Sequence, residues 1–519
     1  MAVLVAILVA AVAAPAAQAD DISESKGFRK AVTVAGVREH QAAFQAIANA
    51  TGGSRVSSSP GYLASREYVV DRMTAAGYEV TIQEFVFAFD GDATPPVLQQ
   101  TAPTPTTYVD GVDFDTMQYS GSNDVTAALV AVGLVVPSAV ANSNTSGCEA
   151  ADFAGFPVGA IALMQRGTCP FGQKAANAQA AGAVAAIVFN EGTIGDPARN
   201  NLVTGTLGAP GVATIPVVGT TFALGDSLRN GVLNGSTGRT MRVRTDILVD
   251  DRITWNVIAE TPGGDPDRVV VVGAHLDSVT RGPGINDNGS GSATILEIAE
   301  TFAAQDRDPR NKLRFMWYGA EEFGLLGSEY YVEQLSDAEL DRIMAMVNFD
   351  MVGSPNYVRF VYDGDNSSFP VGPGAAAGPP GSAYLEDLFV DYFSSQGLAS
   401  DPTPFSGRSD YGPFILEGIP AGGLFTGAEG IKSAAQAATY GGTAGVPYDP
   451  CYHLACDTYA NNSSTGLDQM SDAAAHVVLT LSRVKVDVRL QTASTPLRTS
   501  GTLQAAGFHD HATDAAIDR

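Results

Sequence analysis

The chain has 519 residues, 45% hydrophobic and 17% charged, with a formal net charge of −26. That length predicts two or three folded units, and the apolar content excludes wholesale disorder. So acidic a surface repels nucleic acid and anionic lipid, which excludes both as partners.

The first segment, residues 2–20, is an apolar run ending in Ala17-Gln18-Ala19 before Asp20. It reads as a signal peptide over residues 1–19 and predicts a secreted protein, although no Lys or Arg precedes the run. A short buried helix is the alternative. Gly36 to Gly53 and then Tyr62 to Ala76 read as helices, and the alternation of Tyr78 to Gln83 as a strand. Ala93 to Thr107, with four prolines, reads as an exposed connection. A stretch rich in Gly, Ala and Val runs from about 118 to 245, with strands near 159–163 and 185–189 around a helix from Gly172 to Ala181.

From about 250 the pattern becomes strand, loop, helix, repeated. Val269 to Ala274, Leu313 to Tyr318 and Met344 to Phe349 are apolar runs expected of strands buried on both faces. The intervening helices and a final helix from Leu467 to about Val484 predict an α/β sandwich around a mostly parallel sheet. Beyond Leu490 the chain is polar and weakly patterned, a mobile tail. Four cysteines in an exported chain suggest two disulfides. Cys148 with Cys169 and Cys451 with Cys456 is the simplest of three connectivities.

Charged residues gather where the apolar strands end. His275 and Asp277 follow the first strand, Glu321 and Glu322 the second, Asp350 the third, and Asp287 sits in a Gly-rich loop before a helix. Loops converge at the carboxyl ends of parallel strands. Carboxylates there carry a desolvation cost unless paired or bound to metal, and basic residues are sparse nearby. Mixed imidazole and carboxylate donors suit zinc. The set exceeds the three protein ligands that one catalytic zinc needs, so two ions fit better. His453, framed by Cys451 and Cys456, is the best candidate for a second imidazole. The residue pattern leaves open which of Glu321 and Glu322 would bind metal.

Segments GAHLDSV (273–279), GINDNGSG (284–291), YGAEEFGLLGS (318–328), NFDMVGS (348–354) and YDPCYHLACDT (448–458) resemble, in order, the metal-site motifs of the co-catalytic double-zinc aminopeptidases. The likeness is greatest to the secreted bacterial leucine aminopeptidases, and segment 155–190 resembles the protease-associated domain inserted in the aminopeptidase Y type. The resemblance implies a zinc exopeptidase fold: a mostly parallel mixed sheet sandwiched by helices, with a small β-rich insert. It divides the chain into 1–19 signal peptide, 20–117 and 250–488 peptidase, 118–245 insert and 489–519 tail.

Position by position, it implies two Zn2+ per chain. Asp287 would bridge them, His275 and Asp350 would complete one site, and Glu322 and His453 the other. Asp277 would orient His275, Glu321 would be the general base, and Tyr452 would steady the oxyanion. Arg408 would lie beside the substrate, with Phe425 as a pocket wall favouring apolar residues such as Leu. The expected partners are peptides, and the expected state is a monomer. A carboxypeptidase for acidic C-terminal residues and an inactive metal-bound binding protein are the competing readings.

Overall fold

The computed structural model describes residues 16–195, 197–372 and 374–491. The segment read as a signal peptide lies outside them up to residue 15, and nearly all of the tail lies outside them too. Two eight-stranded mixed sheets organise the chain. The first runs, in spatial order, Glu79–Asp92, Ile247–Glu260, Asn311–Tyr318, Asp265–His275, Ile343–Phe349, Ala421–Phe425, Phe360–Tyr362 and Asp401–Thr403. Asn311–Tyr318, Asp265–His275, Ile343–Phe349 and Ala421–Phe425 pair in parallel. Outside these four, the Ile247–Glu260 and Phe360–Tyr362 strands join them antiparallel.

Alternation within the apolar strands supplies both faces of the sandwich. Val270, Val272 and Ala274 pack against helices Val34–Ala50, Pro60–Ala75, Gly289–Ala304 and Ser464–Arg483 through Val37, Phe44, Val69, Ile295, Phe302 and Val477. Val269 and Val271 face the opposite layer, where Tyr331, Val332 and Phe414 come from helices Leu326–Glu333 and Tyr411–Leu416. A strand buried on both sides leaves its polar residues only one outlet, its end. That constraint positions the site.

The second sheet runs Thr106–Thr107, Val97–Ala102, Gly235–Thr245, Asn123–Ala131, Ile161–Gln165, Ala185–Phe189, Val217–Thr220 and Phe114–Thr116. Its core strands Asn123–Ala131, Ile161–Gln165, Ala185–Phe189 and Val217–Thr220 are parallel. Cys148 and Cys169 are bonded beside it, and Cys451 and Cys456 are bonded in the first unit.

Two sequence expectations need correction here. Residues 93–107 are not simply an exposed connection: Leu98 is fully buried and pairs with Val243. The prolines that suggested a loop bracket a short strand instead of interrupting it. Strands Val97–Ala102, Thr106–Thr107 and Phe114–Thr116, placed before the insert by a boundary at 118, all pair within the second sheet.

Candidate active site

The ends of the parallel strands and the loops beside them converge as the apolar pattern requires. His275 closes its strand with the imidazole 1% exposed. Its Nε2 lies 3.2 Å from Asp287 Oδ1 and 3.4 Å from Asp350 Oδ1. His453 Nε2 lies 3.2 Å from the other oxygen of Asp287, Oδ2, and 3.0 Å from Glu322 Oε2. Asp287 therefore turns one oxygen to each imidazole. Glu321 Oε2 is farther off, 3.8 Å from His275 Nε2.

The supports are local and specific. Asp277 Oδ1 sits 3.5 Å from His275 Nδ1, behind the ring, and accepts the backbone N–H of Glu321 at 3.3 Å. Asn288, the residue after Asp287, caps helix Gly289–Ala304 by accepting from Gly291 N at 2.9 Å and donates to Phe349 O at 3.0 Å. That pair of bonds ties the Asp287 loop to the strand that ends at Asp350. The disulfide from Cys451 to Cys456 closes a tight loop around His453, whose backbone is left-handed at φ 57°.

Several buried oxygens here have no hydrogen-bond donor: Asp277 Oδ2, Glu322 Oε1, Asp350 Oδ1 and both oxygens of Asp410. Unsatisfied buried carboxylates are costly, so the set calls for a counter-charge. Ligand bonds of ~2.0–2.2 Å at near-tetrahedral angles separate neighbouring donors by about 3.4 Å. The His–Asp and His–Glu separations of 3.0 to 3.4 Å match that spacing. The residues fit divalent metal.

Burial pushes the Glu321 carboxyl well above its usual range, and the neighbouring charges of Asp350 and Glu322 add to the shift. Burial raises Glu322 as well, with Asp287 contributing. Arg408 donates to Glu429 Oε1 at 2.9 Å and to the Tyr452 hydroxyl at 3.0 Å, which brings both residues to the mouth of the pocket. Phe425 lines the same pocket while stacking on Phe360 at 6.0 Å. It serves as wall and as packing at once.

Sequence reasoning missed four supports and misjudged one. Ser409 donates to Asp350 Oδ2 and accepts from Asn348 Nδ2 at 2.7 Å. Asp457 accepts the backbone N–H groups of Asn286 and Asp287 at 2.8 and 2.9 Å, so it holds the Asp287 loop. Asp449 accepts from Asn286 Nδ2 at 2.6 Å. Asp410, buried beside His275 and Asp350, is pushed up to about 7, by burial first. The expectation that cations are sparse near the site overlooked Arg55. It is wholly buried and donates to Leu276 O, Pro283 O and Gly284 O, bracing the segments on either side of Asp277. Burial lowers it to about 10, against the raising influence of Asp277.

An α/β sandwich whose strand edge gathers two imidazoles and five acidic side chains defines the class, a metal-dependent hydrolase. The model for peptidase family M28 matches residues 256–478, and that for the PA domain matches residues 125–228. An aminopeptidase of Pseudomonas aeruginosa strain PAO1 is 46% identical over 475 residues, spanning 91% of this chain and 85% of that one. Leucine aminopeptidase 2 of Trichophyton equinum is 44% identical over 341 residues, 66% of each chain. Among solved structures, the aminopeptidase from Aneurinibacillus sp. strain AM-1 superimposes with a TM-score of 0.63 at 27% identity, covering 88% of this chain and 96% of that one. The chain belongs to peptidase family M28 and is a metallo-aminopeptidase with an inserted protease-associated domain.

Proposed function

We propose that the protein is a two-zinc aminopeptidase that releases single apolar residues, leucine above all, from the amino ends of peptides. One observation carries the reading: Asp287 presents its two oxygens to different imidazoles, each at 3.2 Å. A carboxylate so placed would bridge two ions bound there. His275 and Asp350 would hold one ion with it, Glu322 and His453 the other. Bound there, the ions would lower the pKa of a water toward 7 and polarise the scissile carbonyl.

The protein groups would then divide the labour. Glu321, the carboxylate set back from the imidazoles, takes the proton of the attacking water and returns it to the leaving amine. Its raised pKa suits both halves of that transfer. Asp277 fixes the ring of His275 from behind, the support that a ligating imidazole needs. The Tyr452 hydroxyl, oriented by Arg408, donates to the developing oxyanion. Phe425 supplies an apolar wall for the first side chain, and the leucine aminopeptidase relative supports that preference.

Arg408 is already paired with Glu429, which leaves it poorly placed to hold the C-terminal carboxylate of an acidic substrate. A groove of about 850 Å³ leads outward between insert and peptidase, bordered by Asp92, Asp115, Arg166, Arg281, Glu429 and Leu454. We assign it to the peptide beyond the first bond, with residues 118–245 as one wall. The leading apolar segment supports a reading of export. No helix of the described residues is long and apolar enough to cross a membrane.

The test is hydrolysis of leucyl-p-nitroanilide against an acylated dipeptide ending in Glu, with and without chelator. Chelator-sensitive cleavage of the first alone supports the proposal. Cleavage of the second overturns it.

A further inference from the structure

On the helical face of the same unit, away from the strand ends, a second mixed cluster forms. His40 projects from helix Val34–Ala50, and Glu297 and Glu300 lie one turn apart on Gly289–Ala304. Positions three apart share a helix face. His40 is 1% exposed. Its Nε2 lies 3.8 Å from Oε2 of Glu297 and 3.8 Å from Oε2 of Glu300, and it has no hydrogen-bond partner. That separation is too long for a hydrogen bond. A buried nitrogen thus points at two carboxylates without bonding either.

The other side of the ring is already occupied as ligation requires. A metal-bound imidazole donates its second N–H to an oxygen, and the Tyr68 hydroxyl stands 2.8 Å from His40 Nδ1. Charge points the same way. Arg72 bonds both oxygens of Glu300 and lies 3.7 Å from Glu39, while Glu297 accepts the Thr33 N–H at 3.1 Å. Glu300 and Glu39 share that one guanidinium, and Glu297 bonds Thr33 instead.

We propose that His40 Nε2, Glu297 Oε2 and Glu300 Oε2 form a further divalent-metal site, separate from the catalytic edge, for a transition ion of the zinc type. Neutral imidazole with two carboxylates is a donor set suited to such ions. The three ligand atoms lie within 4.8 Å of one another. Bonding distances need roughly 3.4 Å, so Glu297 and Glu300 close the set by small rotations, the latter while paired with Arg72. Occupancy would clamp helix Val34–Ala50 to Gly289–Ala304, whose first residue lies two positions after Asp287. The site is structural and makes no contact with substrate.

The test counts metal in the full-length protein, stripped with chelator and then dialysed against a fixed, buffered level of free Zn2+. Wild type should retain one more Zn2+ per chain than Glu297→Gln, a variant that keeps an oxygen for Thr33. That variant should hydrolyse leucyl-p-nitroanilide within about two-fold of wild type once the catalytic edge is loaded. Tyr68→Phe should weaken the additional ion by about 10- to 100-fold, as loss of an outer partner does. His453→Ala, which perturbs only the catalytic edge, should keep it. Because the readout is a difference of one ion, it stands whatever number the catalytic edge binds. Equal zinc content in folded wild type and Glu297→Gln would overturn the site, as would unchanged affinity in Tyr68→Phe.

Discussion

The two sheets share a plan and differ in what they do with it. Each has parallel central strands buried on both faces, and each sends polar residues out at the strand ends. In the insert, those residues are hydrogen-bonded. Gln165, the last residue of one strand, accepts from Val135 N and Asn144 Nδ2 and donates to Val135 O and Glu191 O, all at 2.9 Å. Glu191, after the next, accepts from Asn142 N at 2.9 Å and pairs with Arg199 at 3.5 Å. In the peptidase unit the corresponding edge leaves oxygens of Asp277, Glu322, Asp350 and Asp410 without donors. A strand end supplies a place for polar residues, and only unmet hydrogen-bonding capacity makes that place reactive.

The comparison breaks most visibly at Asp287. Asp287→Ala should remove both ions and bring leucyl-p-nitroanilide hydrolysis to background, with zinc counted by atomic emission. Glu321→Gln should separate chemistry from metal: kcat falls by roughly 10²–10⁴-fold while zinc content stays at the wild-type level. Zinc lost along with activity would make Glu321 a ligand instead of the base.

In the insert the reverse is expected. Glu191→Ala leaves Arg199 with one carboxylate fewer in a buried setting, at a cost of about 3 kcal/mol or more to that unit. Activity per folded molecule on the short substrate should stay within about two-fold of wild type. Denaturant unfolding and active-site titration together measure both. Behind the peptidase sheet, His476 shows that a buried imidazole held by Ser25 at 2.8 Å is structural. Burial, then Arg29, lowers it from 6.5 to about 4. The neutral form is the folded one, so the contribution is complete above pH 6.5 and is lost as pH falls toward 4. Wild type should therefore lose roughly 3 kcal/mol more than His476→Gln over that window, read from urea midpoints at pH 7 and 4.

The smallest expected effect lies between the two units. Arg281 pairs with Asp110 at 3.0 Å and with Asp115. Arg281→Ala should cost about 1 kcal/mol, seen as a KM several-fold higher for pentapeptides and unchanged for the anilide.

Much of this site is legible in the chain because its residues terminate apolar runs. His275, Glu321, Glu322 and Asp350 announce themselves by interrupting strands that tolerate no charge. Asp287 and His453 needed more: a Gly-rich loop in one case, a cysteine frame in the other. The supports were not legible. Arg55 acts on carbonyls more than 200 positions away, between an unremarkable helix end and a run of serines, with no periodicity to mark it. Asp457 and Ser409 each act through two hydrogen bonds to segments distant in the chain, and only folding creates those distances. The strand at Val97–Ala102 was hidden because its flanking prolines carry the local signal of a loop, while Leu98 is ordered by a partner at Val243.

Anomalous diffraction at the zinc edge, from crystals of the full-length protein, tests the central claim most directly. Two ions sharing the Asp287 carboxylate give two peaks, one on either side of it, the first against His275 and Asp350 and the second against Glu322 and His453. A single peak at that carboxylate, or two ions that do not share it, would rule out a bridged pair.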